Sequence, residues 1–287
     1  MLRVRKSLQN RAGLLASPTV IYLAIFFFAP FAIVLLYSFG MIDLLRQLRP
    51  VFTLEYYFEF FSSVVPGVFA RSLLMAFGTT VACLALGYPM AYYIAVKSVR
   101  RKETLLLLVI IPFWVSFLLR TYALMTILDV NGVINVTLSS LGLISKPLNL
   151  MYNPQAVLLG MIYNYLPFMI LPLYASMEKL DKSLLEASGS LGAGPLRSFV
   201  HVTLPLTMSG IGAGSILVFV PSVGEFIIPQ LLGGTESFMV GNLIWTLFLK
   251  ARNLWFGSAV SIILIALVVL MVGLYMKRIS KGEEMTI

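Results

Sequence analysis

Charge is scarce in this chain. Of 287 residues only 11% are Asp, Glu, Lys or Arg, and the acids number 12. A soluble domain is about one quarter charged, so this composition cannot dress an ordinary water-facing surface. Cysteine is nearly absent: Cys83 stands alone in an apolar run, which excludes an intramolecular disulfide and a cysteine-based metal cluster and leaves the role of a small buried hydrophobe. The one histidine, His201, has no Cys, His or Asp at metal-ligand spacing, so no metal site is expected. The patterns G-x-x-x-x-G-K-[ST], H-E-x-x-H and G-x-S-x-G are missing. No catalytic residue is expected, and an energised machine built on this chain must borrow its ATPase.

Apolar sequence fills the space that charge leaves. The chain is 59% hydrophobic with a mean hydropathy of +0.94, which marks an all-α integral membrane protein. Apolar runs at about 18–40, 69–96, 104–128, 155–176, 204–232 and 257–276 are each long enough for a bilayer crossing. Six transmembrane helices are expected. The first run resembles a signal peptide, but it is too long and lacks a small-residue cleavage site after it, so it reads as an uncleaved span.

The formal charge of +9 is spread in short clusters, not gathered in one patch for nucleic acid. Segments 1–18, 97–103, 177–203 and 277–287 carry 4, 4, 3 and 3 Lys and Arg, 14 of the 21. By the positive-inside rule these segments are cytoplasmic. The expected organisation is a cytoplasmic N-terminal segment 1–18, a membrane domain 19–276 with a cytoplasmic loop 177–203, and a cytoplasmic tail 277–287. On the outer side, Thr53 ahead of Leu54-Glu55-Tyr56-Tyr57-Phe58 predicts a capped aromatic helix, and Asn131-Gly132 predicts a turn before a short helix over 133–143. Either is a packing element or a surface for an external partner.

Helix breakers fall inside the spans: Gly87, Pro89, Pro112, Pro167, Pro172, Pro221, Gly224 and Pro229. The carbonyls that proline frees are tolerable at membrane depth only where protein or a watery cavity satisfies them. The fifth span is the most broken and carries Glu225, which either recognises a cation on a translocation path, is solvated near the outer interface, or pairs with a base such as Arg120. Trp114 lies about 15 Å into the third span at helical rise. It is either a packed or lipid-facing aromatic or a wall for an ammonium ligand; Tyr122, Tyr163 and Tyr165 are candidates of the same kind.

The longest polar interruption on the inner side runs over 181–205, DKSLLEASGSLGAGPLRSFVHVTLP. Ser183 and Glu186 have the spacing of a capping box. Leu184, Ala187, Ser188 and Leu191 form a narrow stripe made to be covered, and Gly192 is placed for a left-handed C-terminal cap. Pro195 suits the first position of a second helix.

Glu186-Ala187-Ser188, then Gly192, Val202 and Leu204-Pro205, resemble the E-A-A-x3-G-x9-I-x-L-P loop of ABC-importer permeases, with Ser188 in place of Ala and Val202 in place of Ile. Ser183, Glu186, Ala187, Ser188, Leu191, Gly192 and Pro205 are the coupling residues that this resemblance implies. The likeness extends almost end to end to permease subunits of polyamine (spermidine/putrescine) ABC importers, through Leu86-Gly-Tyr-Pro-Met-Ala91, Ile111-Pro-Phe-Trp114 with Arg120 and Tyr122, Asn153-Pro154, Leu166-Pro-Phe-Met169, Leu171-Pro-Leu-Tyr174, Glu178-Lys-Leu-Asp181, Leu204-Pro-Leu-Thr-Met208, Gly224-Glu-Phe226 and Leu231-Leu-Gly-Gly234. Relatives often carry a second acid where this chain has Gln230. The resemblance implies a type I importer fold in a bacterial inner membrane and a path lined by Trp114, Tyr122, Tyr163, Glu225 and Gln230. The implied partners are a second homologous permease, two cytoplasmic ATPases that hold ATP and Mg2+, an external or periplasmic binding protein, and lipid. Opines, other amines and amino-acid-like solutes remain alternative cargoes, and a secondary transporter is the remote alternative class.

Overall fold

The computed structural model describes residues 2–41, 52–98 and 101–284, without the side chains of 2–17, 182 and 279–284. The basic side chains of the N-terminal segment, Arg100 and part of the tail therefore lie outside the described residues, as does 42–51 of the first outer connection. Every regular element described is helical. Five described helices are long and apolar enough to cross a membrane, and six if one bent pair counts as a single span.

Two compact units divide the chain, one from 1–63 with 246–267, the other from 64–245 with 268–287. In the first, α1 (Leu2–Ser38) carries the first span over Pro18–Ser38, none of it buried. Phe26, Phe27 and Phe28 point outward, as lipid-facing side chains do. The helix end is held by one polar and one aromatic contact: Ser38 Oγ bonds the Tyr57 hydroxyl at 2.7 Å, and Phe39 stacks on Phe52 at 5.2 Å. Tyr57 belongs to α2 (Glu55–Ser62), the aromatic helix expected on the outer side. Thr53 is not its cap, which is Leu54 and makes no side-chain bond; Thr53 stands one residue before, where its Oγ1 accepts the Glu55 N–H. The last span opens α14 (Leu254–Glu284).

The second unit is organised around α7 (Pro154–Glu178), whose span is 56% buried against 33% for α3 (Val65–Tyr92). Asn153 caps α7 by accepting the Ala156 N–H at 2.8 Å, with Pro154 at the first position. Met161, Met169, Ile170, Leu173 and Met177 of α7 are fully or almost fully buried, beside Cys83 and Ala91 of α3 and Val218 of α11 (Met208–Val223). Cys83 is buried as expected, its thiol 3.8 Å from the Ile162 carbonyl. Helix α11 approaches α7 through small residues. A Cβ on Gly210 would lie 2.5 Å from that of Ser176, and one on Gly214 would lie 2.7 Å from the Met169 sulfur. Without a hydrophobic drive between helices in lipid, such close backbone contact supplies the packing.

Not every expected breaker breaks a helix. Pro89, Pro167, Pro172 and Pro221 sit inside continuous helices. The third span does break: α4 (Lys102–Ile110) passes into a tight 3-10 turn at Ile111–Trp114, and α5 (Phe117–Leu128) starts after an extended Val115-Ser116. The fifth run is not one straight crossing from 204. A helical stretch Pro195–Leu206 meets α11 at 66° across Thr207. The Leu204-Pro205 pair therefore precedes a bend, whose Thr207 hydroxyl bonds the Thr203 carbonyl at 2.8 Å and the Tyr88 hydroxyl at 2.9 Å. Asn131-Gly132 turns as expected and α6 covers Val133–Ser140, three residues shorter than the apolar pattern. Buried Asn135 ties α6 to Leu148 through both its amide oxygen and nitrogen.

Candidate functional site: a coupling segment and a broken span

The polar loop folds as a helix with two well-made ends. Helix α8 (Lys182–Ser190) starts two residues earlier than a capping box with Ser183 as its cap predicts. Asp181, not Ser183, is the cap: its carboxylate accepts the Ser183 N–H at 2.9 Å. This hydrogen bond holds the Asp181 carboxyl below the usual carboxylate range. With the cap at 181, the third helical position falls on Leu184 and Glu186 lies beyond it, so the reciprocal bond of a capping box cannot form.

The other end is as predicted. Gly192 has φ +80°, the Gly192 N–H bonds Gly189 O at 2.9 Å, and the Ala193 N–H bonds Ser188 O at 3.0 Å. These are the two bonds of a Schellman motif, which requires a residue without a Cβ penalty in the left-handed region. Gly194 and Pro195 then open α9 (Pro195–Ser198). Ser188, the departure from the second Ala of the family pattern, bonds Ser198 hydroxyl to hydroxyl at 2.7 Å and so ties α8 to α9.

What this segment presents is apolar. Leu184, Ala187, Leu191 and Leu196 are exposed, Leu191 at 88%. A shallow depression of 540 Å³ lies beside them, lined by Gly194, Pro195, Leu196, Arg197, Val200 and His201. Glu186 and Pro205 are exposed as well. At the root of the loop, Glu178 accepts from Lys102 at 2.9 Å and from Tyr174 at 2.6 Å, which joins the start of α4 to the end of α7. The Glu178 carboxylate raises the Lys102 ammonium above its ordinary value. This brace was not legible in the sequence, since the two partners are 76 residues apart.

The second arrangement is the break between α11 and α12 (Ile227–Leu232). Glu225 is buried there, 7% exposed, and not solvated. Its Oε1 accepts the backbone N–H groups of Phe226, Ile227 and Ile228 at 3.0, 2.8 and 3.3 Å, while Oε2 accepts the Tyr165 hydroxyl. No ion pair joins it to Arg120. The broken backbone has a second support in buried Asn242, on α13 (Val240–Trp245), which donates to the Phe226 carbonyl at 2.9 Å and the Gln230 amide oxygen at 3.4 Å. Sequence inspection missed Asn242, which has no local periodicity to reveal it. The other path candidates do not converge on Glu225: Trp114 is 80% exposed, and Tyr122, Tyr163 and Gln230 are exposed too.

Residues 84–281 match the family model of the binding-protein-dependent transport system inner membrane component. This chain belongs to that family. The permease is 41% identical over 254 residues to the spermidine/putrescine transport system permease protein PotB of Escherichia coli, covering 88% of this chain and 92% of the relative. It is 43% identical over 223 residues to the PotB of Haemophilus influenzae, 78% of each chain. The fold matches a chain of the bacterial alginate ABC transporter solved in complex with an alginate pentasaccharide-bound periplasmic protein, with a TM-score of 0.71 at 18% identity over 95% of this chain and 94% of that one. The permease is thus a multi-pass inner-membrane subunit of an ABC importer, a class that works with ATPase subunits and a periplasmic binding protein.

Proposed function

We propose that this permease forms half of the translocation path for a polyamine, spermidine or putrescine, and transmits the work of separate ATPase subunits through α8 and α9. The observation that carries the reading is the likeness to two polyamine permeases at 41% and 43% identity. A second homologous permease completes the path, two cytoplasmic ATPases hold ATP and Mg2+, and both termini are cytoplasmic. The exposed stripe of Leu184, Ala187 and Leu191 seats in an ATPase groove, with Glu186 at its edge. The Schellman end at Gly192 and the Ser188 to Ser198 bond keep the stripe rigid enough to carry a push.

Trp114, Tyr122 and Tyr163, exposed on the isolated chain, become the aromatic lining once the paired permease is in place, and Gln230 contributes a neutral polar edge. An ammonium over an indole face gains roughly 0.5–1 kcal/mol at an exposed site. Glu225 is buried, away from that exposed set. Four donors already occupy its oxygens, and one lone-pair position on Oε2 remains, so it acts on cargo chiefly through its charge.

Uptake of radiolabelled spermidine by the complete importer in proteoliposomes tests this, with ATP and the binding protein as required additions. Trp114→Ala is expected to lower uptake about two- to fivefold at normal complex yield. Uptake of another solute under the same conditions, with none of spermidine or putrescine, would overturn the assignment of cargo.

A further inference from the structure

Arg120 is a buried charge with no task in the account above. It lies on α5 with 7% of its surface exposed. Its Nε and Nη1 are buried without a hydrogen-bond partner. The guanidinium instead faces two rings, Phe113 at 5.2 Å and Phe117 at 5.9 Å. Ring faces attract a cation but leave its N–H groups without lone pairs to bond, and a guanidinium removed from water is costly unless an anion compensates it.

The opposite charge belongs to the same cluster. Phe117 also meets the Tyr165 ring at 6.3 Å, and Tyr165 holds Glu225. Both charges are buried, yet they are not paired, because Glu225 is engaged at the start of α12.

We infer that Arg120 is a positioning residue for Glu225. The carboxylate has two alternative seats, the α12 turn seen here and the Arg120 guanidinium, and the transport cycle moves it between them. Leaving the first seat frees three backbone N–H groups and the Tyr165 hydroxyl. Reaching the second supplies charge-assisted, bidentate donors in exchange. The seats exclude one another, which gives the two discrete arrangements that an alternating transporter needs. On the Arg120 side the backbone is irregular, since α5 follows a 3-10 turn and two extended residues; on the Glu225 side the backbone carbonyls pack close to Gly241, so the move is one of the side chain. The inference rests on the chain being a cycling permease and not on which solute it carries.

The test uses the complete importer in proteoliposomes, with complex yield, uptake and basal ATP turnover measured on the same preparations. Arg120→Met is expected to lower uptake about tenfold, while Arg120→Lys, which keeps the charge but loses the bidentate fork, should fall between Arg120→Met and wild type. In basal ATP turnover, which involves no cargo, the Arg120→Met, Glu225→Gln double variant should match Arg120→Met, since both remove one exchange. Tyr165→Phe weakens the first seat alone, and so should raise basal ATP turnover about threefold or more, a rise that Arg120→Met abolishes. Normal uptake by Arg120→Met, or basal turnover in the double variant that departs from that of Arg120→Met, would overturn the exchange. If Arg120→Met assembles poorly, Tyr165→Phe decides, and unchanged basal turnover in that variant ends the proposal. A wild-type complex that moves a different solute sinks only the cargo assignment, and the same variants are then read on that solute.

Discussion

The two polar interruptions of this apolar chain are held in different ways. The one around α8 is stabilised by its own neighbours alone: Asp181 caps α8 two residues on, Gly192 and Ala193 close the other end, and Ser188 reaches ten residues to Ser198. Its side chains are left exposed. The interruption in the fifth span adds to its local cap, Glu225 on the N–H groups of 226–228, two supports from far away, Tyr165 at a sequence separation of 60 and Asn242 at 16, and its carboxylate is buried. In water, local capping suffices because solvent completes the rest. Within a membrane every freed N–H and C=O must find a protein partner, and those partners come from other helices. A segment stabilised by itself is free to present its surface to another protein; a segment stabilised by the bundle moves only when the bundle does.

The largest expected effect breaks the buried side of this comparison. Glu225→Leu leaves three backbone N–H groups and a phenol without their acceptor, and should cost about 3–5 kcal/mol, the penalty of breaking a buried charged network. Thermal unfolding of the purified complex reads it directly. A melting temperature equal to wild type would mean that the break is held by something other than Glu225.

That contrast also decides what the sequence can tell. The apolar spans, the aromatic helix α2 and the helix α8 with its glycine end follow from apolar run length and short-range grammar, and the structure carries them, with five spans or six if the bent pair counts as one. The start of α8 was misassigned because Asp181 and Ser183 are both good caps two residues apart, and a box pattern gives no way to rank them. Whether a proline breaks a span was not legible either. Pro167 and Pro172 are absorbed in α7, where packing surrounds the helix, whereas Pro112 lies at a real break. The Tyr165 bond to Glu225 and the bond from Lys102 to Glu178 depend on which helices meet, and no local pattern encodes that.

Gly192→Val strikes the exposed side. A β-branched residue at φ +80° costs about 1–2 kcal/mol locally, which should loosen α8 without shifting the melting temperature of the complex by more than a few degrees. Stimulated ATP turnover should fall while basal turnover persists. Equal loss of both activities would place Gly192 in general folding and not in coupling.

The smallest effects sharpen the comparison. Ser188→Ala removes one hydroxyl bond, worth about 1 kcal/mol, and should reduce stimulated turnover modestly with complex yield unchanged. Asp181→Ala should weaken coupling more than Ser183→Ala, because the Asp181 carboxylate makes the cap; the reverse order, read from the same turnover assay, would restore the box.

Cross-linking from Leu191 tests most directly whether α8 is the surface through which an ATPase drives this permease. With Leu191→Cys as the sole cysteine, in a Cys83→Ala background, a thiol-specific photo-cross-linker in inner-membrane vesicles should capture the ATPase subunit, and ATP should change the yield of capture. An impermeant thiol reagent added outside intact cells should leave Leu191→Cys unlabelled. Labelling from outside, with no capture of the ATPase, would contradict the account.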